Sequence, residues 1–324
     1  MKRETGIDLL RCFAAFLVVA FHGNLYVGYQ REPQVGVAMW AANSFYHLTV
    51  ACNGLFLMIS GYLHSRKPFD RRCFRGLVGV VLGYALASAV SIPVRHFLLG
   101  QEKSLEQWVR AFFGFSGVYY GWYVEMYLGL MLVSPVLNLA LGNMKDSQVG
   151  AACGCLILVT ACPLTDYWAA GYPLAYYAMG AAVRRFKPRV KTWVCLASAG
   201  ALACGFGLLT LVSAGGGKLG NGHSETFGSF GSMIQVWLLF VGLYQVRTGK
   251  KTAIWLGKMA SGTYGCYLLS HLLDGWVYGL LPGWHEPERY WLVVAFVTVP
   301  VFVLSIGMGI VLHRIVEMIK PPSF

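Results

Sequence analysis

The segment LLRCFAAFLVVAFHG, residues 9 to 23, carries one arginine and one histidine, Arg11 and His22, in an otherwise almost wholly apolar run. Eleven residues of α-helix turn through about 1100°, roughly 20° beyond three full turns, and rise about 16 Å. The two side chains therefore share one stripe, half a membrane apart. Facing lipid would be costly for both, so they must face the bundle interior or a wet cavity, which makes them functional-site candidates. The structural alternative is a hydrogen bond from each to a neighbouring helix. Asp8 precedes Arg11 by three residues on the same face and can pair with its guanidinium. A neutral imidazole at the depth of His22 can take a proton from a hydroxyl.

Other polar residues in apolar surroundings extend the candidate set. His271 and Asp274 are three apart, neighbours on one helical face. Glu125, in WYVEMY, is an acid that can orient His22, accept a bond from a substrate hydroxyl, or pair with Arg110. Trp122 and Tyr123 beside it can stack on a substrate or anchor the chain at the membrane interface. Ser60 and Gly61 read either as site residues or as a small pair that lets helices approach closely. His22, His47 and His271 lack the spacing of a metal site, so no metal is expected. The nine cysteines include no C-x-x-C pair, and Cys153 and Cys155 sit too close together for zinc; they read as small packing residues.

These residues need helices in a bilayer to position them. Of the 324 residues, 56% are hydrophobic and 12% charged, with a mean hydropathy of +0.56, unlike a soluble domain. Apolar stretches of roughly 17 to 25 residues, enough to cross the hydrocarbon core, recur along the chain. They predict an all-α polytopic transmembrane bundle forming one domain over residues 1 to 324. Ten spans are expected, near residues 7 to 27, 46 to 64, 74 to 97, 121 to 141, 149 to 165, 172 to 184, 192 to 213, 229 to 246, 261 to 281 and 290 to 312. The amphipathic stretch from Leu105 to Tyr120 should lie at the outer surface or re-enter. Nineteen of the 26 Lys and Arg residues then fall in inner segments and six in outer ones, which puts both termini in the cytoplasm. The net charge of +12 reflects that bias and attraction to anionic membrane lipids, and gives no reason to invoke nucleic acid. The first apolar run has no small-residue cleavage site and reads as a retained helix rather than a signal peptide. GGGKLGNG, within the glycine-rich segment 213 to 231, lacks the Gly-Lys-Ser/Thr ending of a phosphate loop and reads as a flexible outer loop.

The motifs, taken in order, resemble the acyltransferase 3 family of bacterial integral membrane acyltransferases. GIDLLRCFAAFLVVAFH is similar to the family's first span, NGLFLMISGYL to its second helix, and RRCFR to its cytoplasmic Arg-x-x-Arg; GWYVEMYLGLMLVSPVLN, YPLAYYAMGAAVRRF, TYGCYLLSH and IVEMIKPP follow in the expected order. The resemblance implies that His22 is the catalytic histidine and Arg11 its partner. It makes Arg72 and Arg75, with Arg71 beside them, candidates to grip the phosphates of coenzyme A, which guanidinium groups bind in bidentate fashion. Ser60 and Gly61 are counted with that donor site. His271 matches a Tyr-Leu-x-x-His ending, which also brings in Tyr267 as a substrate-binding candidate.

The implied activity is transfer of an acetyl or short acyl group from cytosolic acyl-CoA, a donor substrate rather than a resident cofactor, to a hydroxyl of an extracytoplasmic glycan or lipid-linked saccharide. The implied location is the bacterial cytoplasmic membrane. Arg11, three turns inward of His22, suits the donor arm better than the oxyanion. Direct transfer and an acyl-imidazole on His22 are both open. The chain reaches Phe324 soon after its last span, so no appended extracytoplasmic hydrolase-like domain is expected. The rival class is a saccharide or small-solute transporter, whose marks would be internal repeats and broken helices in matching halves; neither is seen.

Overall fold

A computed structural model describes residues 4–67, 75–162, 167–219, 227–280 and 289–320. Among these residues all regular structure is helical. In chain order the helices are α1 (Thr5–Val27), α2 (Gly36–Thr49), α3 (Ala51–His64), α4 (Arg75–Pro93), α5 (Leu105–Phe113), α6 (Trp122–Asn143) and α7 (Asp146–Ala161). They continue as α8 (Tyr172–Phe186), α9 (Thr192–Ala214), α10 (Phe230–Tyr244), α11 (Lys250–Val277), α12 (Tyr290–Val293) and α13 (Val299–Ile319). Among the described residues, helix occurs in each of the ten expected stretches. Five helical stretches among the described residues are long and apolar enough to cross a membrane: Thr5–Arg31, Gly76–Leu98, Trp122–Asn143, Thr192–Ala214 and Tyr290–Ile319. Asp146–Ala161 and Phe230–Tyr244 are shorter apolar helices.

Helix α1 is the central pole. Leu10, Ala14, Ala15, Leu17, Val18 and Val19 are buried, and the helix packs on α2, α3, α10, α11 and α13. Its neighbour α11 runs parallel to it, with Cys12 against Leu256 at one end and the surroundings of His22 near His271 at the other. The closest helix pairs meet at glycines. A Cβ on Gly61 of α3 would strike the Tyr177 carbonyl of α8, and one on Gly309 of α13 the Gly262 carbonyl of α11. Without a hydrophobic drive between helices in lipid, such backbone contact is what dispersion and packing favour. Gly61 is thus a packing residue, the second of the two readings its neighbourhood with Ser60 allowed.

At the N-terminal end of α1 three helices are tied by polar groups. Glu4, immediately before α1, accepts hydrogen bonds from Arg184 of α8 (2.7 Å) and Tyr62 of α3 (2.7 Å), and the Arg184 guanidinium lies over the Tyr62 ring. Asn138 of α6 donates to the His64 carbonyl and accepts from Tyr177, joining α6 to the end of α3 and to α8.

Two expectations change. The stretch from 46 to 64 is not one helix: it divides at Val50, where Thr49 Oγ1 turns back to the Tyr46 carbonyl (2.7 Å), competing locally with the helical ladder. The amphipathic stretch from Leu105 splits too. Ser104 and Gln107 form a reciprocal capping box that starts α5, but the helix stops at Gly114, and residues 114 to 121 turn inward so that Val118 and Tyr120 are buried.

Candidate active site

His22 lies in the last turns of α1, and its ring is stacked on the Tyr120 ring, with centroids 3.6 Å apart and planes inclined by 12°. Tyr120 comes from the inserted segment after α5. Its hydroxyl donates to Asp274 Oδ2 (3.1 Å), and its ring meets that of His271 edge-on at 5.7 Å. Tyr267, one turn earlier on α11, donates to the Tyr120 carbonyl (2.8 Å). His22 of α1 and the His271–Asp274 pair of α11 are therefore gathered around a single tyrosine.

The hydrogen bonds within this group are incomplete. His271 Nδ1 lies 2.9 Å from the Leu268 carbonyl; a carbonyl only accepts, so this nitrogen carries the proton and Nε2 presents its lone pair. Nε2 is buried with no partner, and so is Asp274 Oδ1. No hydrogen bond among the described residues engages either nitrogen of His22. Both atoms are therefore free to take a hydrogen bond from a polar ligand.

The inserted segment is held by Arg95, in a π-helical turn (Val94–Leu98) at the end of α4. Its Nη1 donates to the carbonyls of Ser116 (2.9 Å) and Gly117 (3.0 Å), its Nε to Gln101 Oε1 (3.0 Å), and its guanidinium lies over Tyr119 at 4.1 Å and Trp108 at 5.1 Å. Tyr84 of α4 adds a bond from the Gly117 amide (3.3 Å). The glycines that bracket the segment allow its tight course: a Cβ on Gly117 would meet Ser88, and one on Gly121 the Phe115 carbonyl. An arginine read from sequence only as an outer charge is thus a buried clamp.

A cavity of about 350 Å³ opens between α1, α3, α4, α6, α11 and α13. Arg11, Ser60, His64, Tyr123, Tyr267 and Lys320 are among the residues that line it. The Tyr123 and Tyr267 rings lie 5.1 Å apart, and Tyr267 is bonded to Tyr120, so the contact path from the cavity to His22 runs through Tyr267 and Tyr120. Arg11 Nη1 lies 3.9 Å from Asp8 Oδ1, the pair expected from their spacing, and its guanidinium stays part-exposed toward the cavity.

Four of the sequence candidates thus line one cavity: Arg11, Ser60, Tyr123 and Tyr267. His22 and His271 meet at Tyr120. Glu125 is not brought to either group; it is exposed in the first turn of α6, and Arg110 pairs with Glu106 (2.5 Å) instead. Trp122 is exposed, its ring 6.1 Å from Phe227. His47 is engaged by Thr210 of α9 (2.8 Å). Arg71, Arg72 and residues 220 to 226 of the glycine-rich loop lie outside the described residues, and Arg75 is described only as the first residue of α4. Sequence reasoning missed Tyr120 and Arg95. The available signal was SGVYYGWY, a tyrosine pair between two glycines, which marks a tight segment carrying rings rather than the tail of a helix.

A family model described as an acyltransferase domain matches residues 4–310. No match was found among curated proteins or among solved structures.

Proposed function

The chain belongs to the acyltransferase 3 family and is an acyltransferase enzyme, and on that footing we propose that it moves an acetyl or short acyl group from cytosolic acyl-CoA to a hydroxyl of an extracytoplasmic glycan or lipid-linked saccharide. The reading includes ten spans, cytoplasmic termini and residence in a bacterial cytoplasmic membrane. The observation that carries it is the line through the bundle: a cavity that begins beside Arg11 and Lys320, ends at Tyr123 and Tyr267, and is joined by Tyr267 and Tyr120 to His22. A long, thin donor arm suits that cavity. Membership of an enzyme family removes the transporter as the alternative.

In this reading the thioester reaches the tyrosine layer and the acceptor approaches His22 from the opposite side. His22 takes the hydroxyl proton as the oxygen attacks the thioester carbonyl; the carbon–sulfur bond then breaks, and the thiolate leaves with the proton returned by His22. The imidazolium formed in between lies flat on the Tyr120 ring, where a π face favours a cation. Asp274 holds the Tyr120 hydroxyl and so the plane of the stack. His271 Nε2 is placed to accept a hydrogen bond from a hydroxyl in the same pocket. Arg11 lies on the donor arm's route, and the Arg71, Arg72 and Arg75 cluster remains a proposed phosphate grip at the inner surface.

Purified protein in liposomes, given labelled acetyl-CoA and surface-glycan fractions, tests the reading. Release of CoA with label transfer by the wild type, lost in His22→Ala, is expected; hydrolysis or inertness that His22→Ala leaves unchanged would remove His22 from the chemistry.

A further inference from the structure

A second cleft, of about 710 Å³, opens between α1, α11 and α13. Arg11, Lys250, Lys258 and His313 line it, with Ser261 and three apolar or glycine positions of α11 among the rest, and no acidic residue. Three of its residues, Arg11, Ser261 and His313, also line the cavity that leads toward Tyr267. The two spaces therefore share a wall, with Arg11 on it.

Positive-inside topology alone does not account for this arrangement. Lys250 and Lys258 precede the expected ninth span and count toward that charge bias, whereas Arg11 is almost two turns into α1 and His313 lies on the body of α13. Lys250 and Lys258 are eight residues apart, which places them on one face of α11 about 12 Å from end to end. No carboxylate pairs with either lysine among the described residues. Basic groups from three helices converge on this cleft, Arg11 with Asp8 at 3.9 Å and neither lysine with a carboxylate among the described residues, an arrangement suited to an anion carrying more than one phosphate.

We propose that this cleft binds the phosphates of the donor's nucleotide end, with the acyl-bearing arm passing Arg11 into the adjoining cavity. The inference rests on the acyl-CoA reading above and assigns to Lys250, Lys258 and His313 a role that the arginine cluster at residues 71 to 75 does not fill alone. Phosphate also occurs on anionic lipid headgroups, so the test separates the two sources.

The probe is adenosine 3′,5′-bisphosphate, titrated calorimetrically into the full chain in nanodiscs of purely zwitterionic lipid and again with one-third anionic lipid. The wild type should bind it in both. Lys250→Gln/Lys258→Gln should weaken binding by about tenfold or more, on the scale of one lost charge-assisted contact. The same double variant should raise the KM for acetyl-CoA by a similar factor, leave kcat at saturating donor unchanged, and leave turnover of acetyl-pantetheine, which lacks the nucleotide, unaltered. His313→Gln should shift the same two quantities in the same direction, and His22→Ala should bind the probe like wild type. Unchanged binding and KM in both cleft variants overturn the proposal while leaving acyl transfer intact. Loss of probe binding only in anionic discs, with retained lipid released by the double variant in native mass spectrometry, assigns the cleft to a lipid headgroup and also overturns it. Tight binding of the probe with no acyl transfer by any variant would instead uphold a phosphate cleft and sink the functional reading on which its role depends.

Discussion

His22 draws its chemistry from what surrounds it. Its nitrogens are uncommitted among the described residues and its face is covered by Tyr120, so the ring is oriented by stacking rather than by a hydrogen-bonded acid. His22→Ala should therefore lower kcat by about two to four orders of magnitude, the usual worth of a general base, in protein that elutes and melts like wild type. Tyr120 separates two contributions. Tyr120→Phe keeps the stack and loses the bond to Asp274, while Tyr120→Ala loses both; kcat should fall in the order wild type, Phe, Ala, with the donor KM changing least. Equal kcat for Phe and Ala would mean that the stack does nothing for the reaction. At this scale the sequence was informative where polarity interrupts an apolar helix, as at Arg11, His22 and His271. It was silent on Tyr120, because one more aromatic residue in a chain that is 15% aromatic carries no contrast. Glu125 misled for the opposite reason: an acid near a span end stands out whether or not it faces the site.

Helices place these groups, and two clamps hold the helices. Arg95 fixes the segment that presents Tyr120, using two backbone carbonyls and two aromatic faces. Arg95→Lys keeps the charge but loses the planar fork and the ring stacking, so it should cut kcat while leaving the bundle folded, and limited proteolysis should find new cleavage within residues 114 to 121. At the N-terminal end of α1, burial raises the Glu4 pKa, yet the hydrogen bonds from Tyr62 and Arg184 and the charges of Arg184 and Lys187 outweigh it, leaving the carboxyl below its ordinary 4.5. A carboxyl whose pKa is lower in the folded state adds stability above its unfolded value, and that contribution fades as pH falls through the folded one. Glu4→Gln should thus melt earlier than wild type at pH 7, with the difference narrowing below about pH 4.5 in thermal scans. Helix placement was legible because an apolar run long enough to span is a strong signal. The break at Val50 and the end of α5 at Gly114 were not, since both depend on side-chain bonds and a tertiary clamp that hydropathy does not register.

Across the whole molecule, the proposed reaction keeps donor and acceptor apart. Basic groups and two adjoining cavities lie at one end, the histidine pair at the other, and Tyr120, Tyr123 and Tyr267 stand between them. The close packing of α11 on α13 through Gly262, Gly265 and Gly309 makes one wall of the cavity rigid; Gly309→Ala should destabilise the bundle by about 1–3 kcal/mol in detergent melts. The most direct test of the account is sidedness. Acetyl-CoA is sealed inside proteoliposomes of oriented protein, with the cytoplasmic face inward, and a membrane-impermeant glycan acceptor is supplied only outside. Label should appear on the external acceptor with wild type and not with His22→Ala. Transfer that occurs only when donor and acceptor share one compartment would contradict a reaction carried through the bundle.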